Sequence, residues 1–266
     1  MTAISATRPP RPLAQPTQPT RRTAFGKIVL NEARLNLRQP QGLIGGLAIP
    51  LVLLFVFNAI PTFKRPSADL GGLSAFGVYV PILIVFSLAM LALFNLPVPL
   101  ASYRELGILR RLSTTPVPPS WLLAAQGVIN VAVAAAATLI LIGGGIALGA
   151  PAPRNPAGLT VALVLSLAAL FPIGLLVASV ARSANSASII GRVLFFPLIF
   201  LAGLWWPREL MPGAMQAVSE ASPLGAAVQA MQASVQGQFP PAVPLLVLAA
   251  YAVAFGYLAK RFFKWE

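Results

Sequence analysis

Six stretches, at 42–60, 76–99, 121–148, 158–181, 189–206 and 241–259, are apolar over about the 20 residues that an α-helix needs to cross the hydrocarbon of a bilayer. A soluble all-helical protein would need polar faces on these helices, and they have none. The fifth stretch is the least regular, with Arg192 near its start and Pro197 inside it. An arginine can snorkel to the interface, and a proline is tolerated where neighbouring helices re-satisfy the backbone. Of the 266 residues, 57% are hydrophobic and 9% charged, against about a quarter charged in an ordinary globular domain. The expected fold is an all-α integral membrane protein with six transmembrane helices in residues 23–266. Residues 1–22, rich in Pro, Thr and Arg, are expected to form a disordered cytoplasmic tail.

Six spans put both ends of the chain on one side, and the basic residues say which. Fifteen Lys and Arg fall on the side of the termini and four on the other, Lys64, Arg65, Arg154 and Arg208. The positive-inside rule therefore places both termini and the loop after the second span in the cytoplasm of a multi-pass plasma or inner membrane protein. The net charge of +13 lies beside apolar runs, where it serves lipid head groups and orientation; no nucleic-acid partner is expected. The Arg21-Arg22 pair could open a twin-arginine export signal, but Lys27, Glu32, Arg34 and Arg38 interrupt the uncharged run that such a signal needs.

With no Cys and no His, the usual metal sites, thiol chemistry and imidazole catalysis are excluded, and no metal site or catalytic residue is expected. The only Gly-Lys pair, Gly26-Lys27, is followed by Ile28 and is no phosphate-binding loop. The chain is not expected to be an enzyme by itself. At about 100° per residue, residues 24–38 gather Lys27, Asn31, Arg34 and Arg38 on one helix face and Phe25, Ile28, Val29 and Leu35 on the other. An interfacial helix ended by Pro40, or a solvated stub continuous with the tail, fits this pattern.

Between the second and third stretches lies SYRELGILRRLSTTPVPPSW, residues 102–121. On a helix starting near Arg104, Leu106, Ile108, Leu109 and Leu112 form one stripe, Arg104, Gly107, Arg110 and Arg111 lie opposite, and Glu105 falls inside the apolar stripe. A carboxylate there is costly unless it meets a partner. Pro116, Pro118 and Pro119 end the helix. The charges either anchor the loop inside or make it a docking helix for a cytosolic partner.

Arg104-Glu105-x-Gly107-x-Leu109-Arg110-Arg111-Leu112 followed by Thr115-Pro116 resembles the signature of type-2 ABC transporter permeases, the membrane subunits of drug, lipid and polysaccharide exporters. A second segment, 197–231, is similar to that family's P-L-x-F-L-S-G pattern, with Pro197, Gly203, Pro207, Pro212, Pro223 and Leu224 in place. Ala202 stands for the usual Ser, and Ser222 for the usual Asn before Pro223. The similarity runs from about residue 24 to 262. It implies that Arg104, Glu105, Gly107, Arg110, Arg111, Thr115 and Pro116 belong to a coupling helix pressed on an ATPase. It also implies that residues 207–236, broken by Pro207, Pro212 and Pro223, form short re-entrant external helices before the last span; a plain external loop is the alternative.

The resemblance further implies an ATP-driven exporter in which a second permease, identical or related, and separate nucleotide-binding subunits complete the unit. ATP and Mg would sit on the ATPase, and this chain needs no cofactor. A pathway lined mainly by Phe, Leu and Ala suits hydrophobic or amphipathic cargo such as a drug, a lipid or a lipid-linked glycan, while the binding residues stay unassigned. The small residues Gly143, Gly144 and Gly145, and the segment 179–191, read as helix packing more than as pathway. An intramembrane enzyme would have to rely on a Ser/Lys pair, and every Lys lies at or outside the interface. A non-ABC channel or structural membrane protein remains the other reading, and it leaves the motif from Arg104 to Pro116 without a purpose.

Overall fold

The computed structural model describes residues 21–38, 44–67, 70, 72–108 and 120–262. Among them there is no strand, and the chain folds as nine helices, α1 (Arg21–Arg38), α2 (Ile44–Ala59), α3 (Ala75–Glu105), α4 (Ser120–Ala147), α5 (Pro156–Val180), α6 (Ala184–Leu201), α7 (Gly213–Ala221), α8 (Pro223–Val235) and α9 (Ala242–Phe262), with two short 3₁₀ turns. Five of these, α3, α4, α5, α6 and α9, are long and apolar enough to cross a membrane. The sixth expected span is represented by α2, which is shorter. At 1.5 Å per residue it reaches roughly 24 Å, short of the ~30 Å hydrocarbon core.

α3 is the axis of the bundle. Its most apolar stretch is 94% buried within the chain, against 17% for α9. An all-round apolar sequence permits this, because no face of α3 needs water. α2, α4, α5, α6 and α8 pack around it, and α9 lies along α5 at the periphery, leaving Val243, Leu246, Val253 and Tyr257 exposed. The expected second span ends at residue 99, yet α3 runs on to Glu105. Pro97 and Pro99 do not stop it because a π-helical turn, Leu91–Asn95, precedes them and shifts the hydrogen-bond register, with Leu96 N–H donating to Leu91 O at 3.0 Å.

The same π turn sets two of the closest helix crossings among the described residues. The Ala92 carbonyl faces Gly174 of α5 and the Leu93 carbonyl faces Gly191 of α6, and a β-carbon at either glycine would overlap the oxygen. Backbone therefore meets backbone at both crossings, as small residues allow between membrane helices. Gly144 and Gly145 bear out the packing expectation against Leu54 and Val80, while Gly143 meets nothing within 4 Å.

Helix starts follow local sequence. Asn155 and Ser222 each precede a proline, and their side chains accept from Gly158 N–H at 2.9 Å and Gly225 N–H at 3.0 Å, capping α5 and α8. Ser222 thus fills with a hydroxyl the capping place that Asn would take. Pro207 and Pro212 likewise precede the 3₁₀ turn Arg208–Leu210 and α7. α8 is nearly all buried, with Leu224, Ala226, Ala227, Val228, Ala230 and Met231 at 2% exposure or less. Arg208 pairs with Glu220, Gln216 Nε2 donates to the carbonyls of Arg208 and Met211, and Ser219 Oγ donates to Leu201 O at 2.6 Å. The Arg208 and Gln216 bonds brace 207–221 internally, and the Ser219 bond ties it to the end of α6.

Candidate functional site

The end of the bundle that carries α1 holds the connected buried side chains Glu32, Asn95, Gln126 and Asn130. Arg104 and Glu105, the last two residues of α3, point to two different helices. Arg104 Nη1 donates to the carbonyls of Ala178, Ser179 and Ala181 at 3.0, 3.1 and 3.3 Å, capping the C-terminus of α5. Glu105 Oε2 accepts from Ala184 N–H at 3.1 Å, the first residue of α6. A cation sits at the negative end of one helix dipole and an anion at the positive end of the next. Ser183 and Ser186 complete the α6 cap in a reciprocal pair. The adjacent Arg-Glu dipeptide therefore clasps both sides of the turn between α5 and α6.

This corrects the expected helix starting near Arg104. Arg104 and Glu105 finish α3 instead, and the helix ends because Gly107 takes φ +67°, a left-handed C-terminal stop that other residues adopt at a cost. Glu105 is exposed, and its partner is a backbone N–H rather than a side chain in an apolar stripe. Arg110, Arg111, Thr115 and Pro116 lie outside the described residues, as do Leu109 and Leu112.

Deeper in the same end a second polar cluster crosses four elements. Glu32 of α1 is 6% exposed, and its Oε2 accepts from Tyr103 OH at 2.8 Å and Gln126 Nε2 at 2.6 Å. Asn130 Nδ2 donates to the Gln126 carbonyl at 2.9 Å, and Asn95 Nδ2 donates to Asn130 Oδ1 at 2.8 Å. Ser87 Oγ donates to the Gly46 carbonyl. α1 is held to α4 by this carboxylate and by the edge-on contact of Phe25 with Trp121 at 5.8 Å. Sequence reasoning missed Glu32, although the signal was there: it stands four residues after Ile28, three after Val29 and three before Leu35, on the inward face.

A family model described as ABC-2 type transporter matches residues 23–235. The chain belongs to the ABC-2 type transporter family. It is a membrane permease of an ABC transporter, a transport subunit of a kind whose ATPase is a separate chain. No curated protein matches it. In this ABC-2 permease the match spans both the Arg104-Glu105 clasp and the helices introduced by Pro207, Pro212 and Pro223.

Replacing Glu32 leaves two donors of the permease, the half-buried Tyr103 hydroxyl and the buried Gln126 amide, without their acceptor, at about 1–3 kcal/mol for the buried one. The expected result is that Glu32→Ala loosens α1, so that trypsin cuts after the exposed Lys27 and Arg34 sooner than in the wild type. Identical cleavage rates would show that α1 is held by its apolar contacts alone.

Proposed function

We propose that this chain is the membrane-spanning half of an ATP-driven exporter that moves hydrophobic or amphipathic cargo, such as a drug, lipid or lipid-linked glycan, out of the cytoplasm. Two permeases and two nucleotide-binding subunits make the working unit, and ATP and Mg are bound on the latter. α2 serves as the first of six spans in a plasma or inner membrane, α1 lies at the cytoplasmic interface, and α7 and α8 re-enter the outer side before α9. The exposed basic residues Lys27 and Arg34 on α1, and the position of Trp121 against Phe25, support the interfacial placement.

The observation that carries the reading is the clasp. The loop that follows Glu105 is the place where an ATPase would press, and Arg104 and Glu105 tie its root to the ends of α5 and α6. Displacement of that root moves three helix ends as a unit, and contiguous hydrogen-bonded elements of this kind can transmit coupling. Gly107 ends α3 where the loop begins, and Arg110, Arg111, Thr115 and Pro116 supply the rest of the docking surface.

The test is to co-express the chain with a nucleotide-binding subunit, reconstitute the complex and measure ATP hydrolysis against a panel of amphipathic and hydrophobic compounds. Stable co-purification with stimulation by some members of the panel is expected; a chain that conducts ions and binds no ATPase would overturn the reading. For orientation, an alkaline phosphatase fusion at Glu266 is expected to be silent, given the fifteen-to-four bias of basic residues. A strong phosphatase signal would reverse the topology.

A further inference from the structure

α1 carries five basic residues, Arg21, Arg22, Lys27, Arg34 and Arg38, and one acidic residue, Glu32. An outward acid would cancel part of the basic field. Glu32 does not, because it is 6% exposed and its Oε2 is taken up by Tyr103 OH and Gln126 Nε2 in the interior. Lys27 and Arg34 are exposed, and neither forms an ion pair among the described residues. At 100° per residue Lys27, Asn31 and Arg34 fall within about 60° of one another, so the outward face is polar and of one sign.

Leu30 and Leu35 lie on either side of that face, 51% and 37% exposed. Bulk water would leave both leucines hydrated. A helix sunk among lipid head groups covers them with the glycerol and upper acyl region while Lys and Arg reach outward to phosphates. Two observations set the depth. Phe25 meets Trp121 edge-on at 5.8 Å, at the start of the span formed by α4, where an indole belongs at the membrane surface. Only residues 39–43 separate α1 from α2, and fully extended they reach about 20 Å.

We infer that α1 docks on anionic phospholipid, with Lys27, Asn31 and Arg34 taking the phosphate oxygens and Leu30 and Leu35 the layer beneath them. The inference rests on the interfacial placement of α1 proposed above and names the lipid class that α1 meets. Each basic side chain beside an anionic surface strengthens docking about fivefold, and salt weakens it. An acidic protein surface would satisfy the same charges but not the two leucines.

The chain has no cysteine, so Leu30→Cys gives a single labelling point for a fluorophore on α1, and Val253→Cys, exposed on α9, gives a control. The full chain is placed in phosphatidylcholine nanodiscs with a trace of nitroxide-labelled phosphatidylglycerol or, separately, nitroxide-labelled phosphatidylcholine. Phosphatidylglycerol is expected to quench the Leu30 label about fivefold more effectively or better, with equal quenching by the two lipids at Val253. Lys27→Gln combined with Arg34→Gln should remove most of the difference, and so should high salt with Lys27 and Arg34 in place. Should the double variant fail to fold, the salt arm decides. Equal quenching at Leu30, quenching by neither lipid, or a preference that salt leaves unchanged overturns the inference. Displacement of phosphatidylglycerol by soluble glycerol 3-phosphate also overturns it, since a pocket for free phosphate would then replace a lipid surface. The assay contains neither ATPase nor ATP. Equal quenching beside compound-stimulated hydrolysis by the assembled complex removes the lipid docking and leaves the exporter, whereas a lipid preference without such stimulation removes the exporter and leaves the docking.

Discussion

Gly174→Ala is expected to destabilise the permease by about 3 kcal/mol, and Gly174→Leu to abolish accumulation of folded protein, because even one added carbon collides with the Ala92 carbonyl. The oxygen cannot swing aside as a flexible side chain would. It belongs to the π turn of α3, the most enclosed helix, so relief requires α5 to move away from α3 and to uncover Leu170 and Ile173, both of which are buried in the core. Gly191→Ala repeats the collision at the Leu93 carbonyl on α6. Gly143→Ala is the control. A β-carbon there meets nothing within 4 Å, and alanine is the better helix former by about 1 kcal/mol, so the variant is expected to be neutral or slightly stabilised. Thermal unfolding in detergent, followed by tryptophan fluorescence, separates the two outcomes. Equal midpoints for Gly174→Ala and Gly143→Ala would mean that the helix crossings are not as close as described.

The element types of this fold were legible in the sequence because hydrophobic length alone specifies membrane helices, and the five long ones fall where the apolar runs do. Helix ends were less legible. Pro97 and Pro99 argue for a stop near residue 99, and only the register shift in the π turn, which depends on the packing of Ala92 and Leu93 against Gly174 and Gly191, carries α3 on to Glu105. Of the candidate site, the dipeptide Arg104-Glu105 was visible as charge in an apolar chain, but its targets were not: backbone carbonyls and amides of α5 and α6, some 75 residues away, have no side-chain signature. Glu32 shows the opposite case. Its position on the inward face could be read from period, while its partners Tyr103 and Gln126 come from two other helices and required the fold.

Loss of the clasp is the second large effect expected, and it differs for the two residues. Arg104→Ala removes the donor from three carbonyls at the end of α5 and is expected to lower stability by about 2 kcal/mol as well as to disconnect the loop. Arg104→Lys keeps the charge but not the planar, multi-donor head, and is expected to recover stability only in part. Glu105 is exposed and, among the described residues, bonds to a helix start that Ser183 and Ser186 already cap. Its removal is therefore expected to leave the fold almost unchanged while freeing α6 from the root of the loop. Glu105→Gln retains an acceptor for Ala184 N–H without the charge, so intermediate behaviour is expected from it.

The most direct measurement of the central claim, that the Arg104-Glu105 clasp couples the ATPase to the membrane helices, is compound-stimulated ATP hydrolysis by the reconstituted complex carrying Glu105→Ala. The ATPase should still co-purify and basal hydrolysis should persist, with stimulation lost. Wild-type stimulation and transport in Glu105→Ala would contradict the claim and reduce the charged loop to a topological anchor.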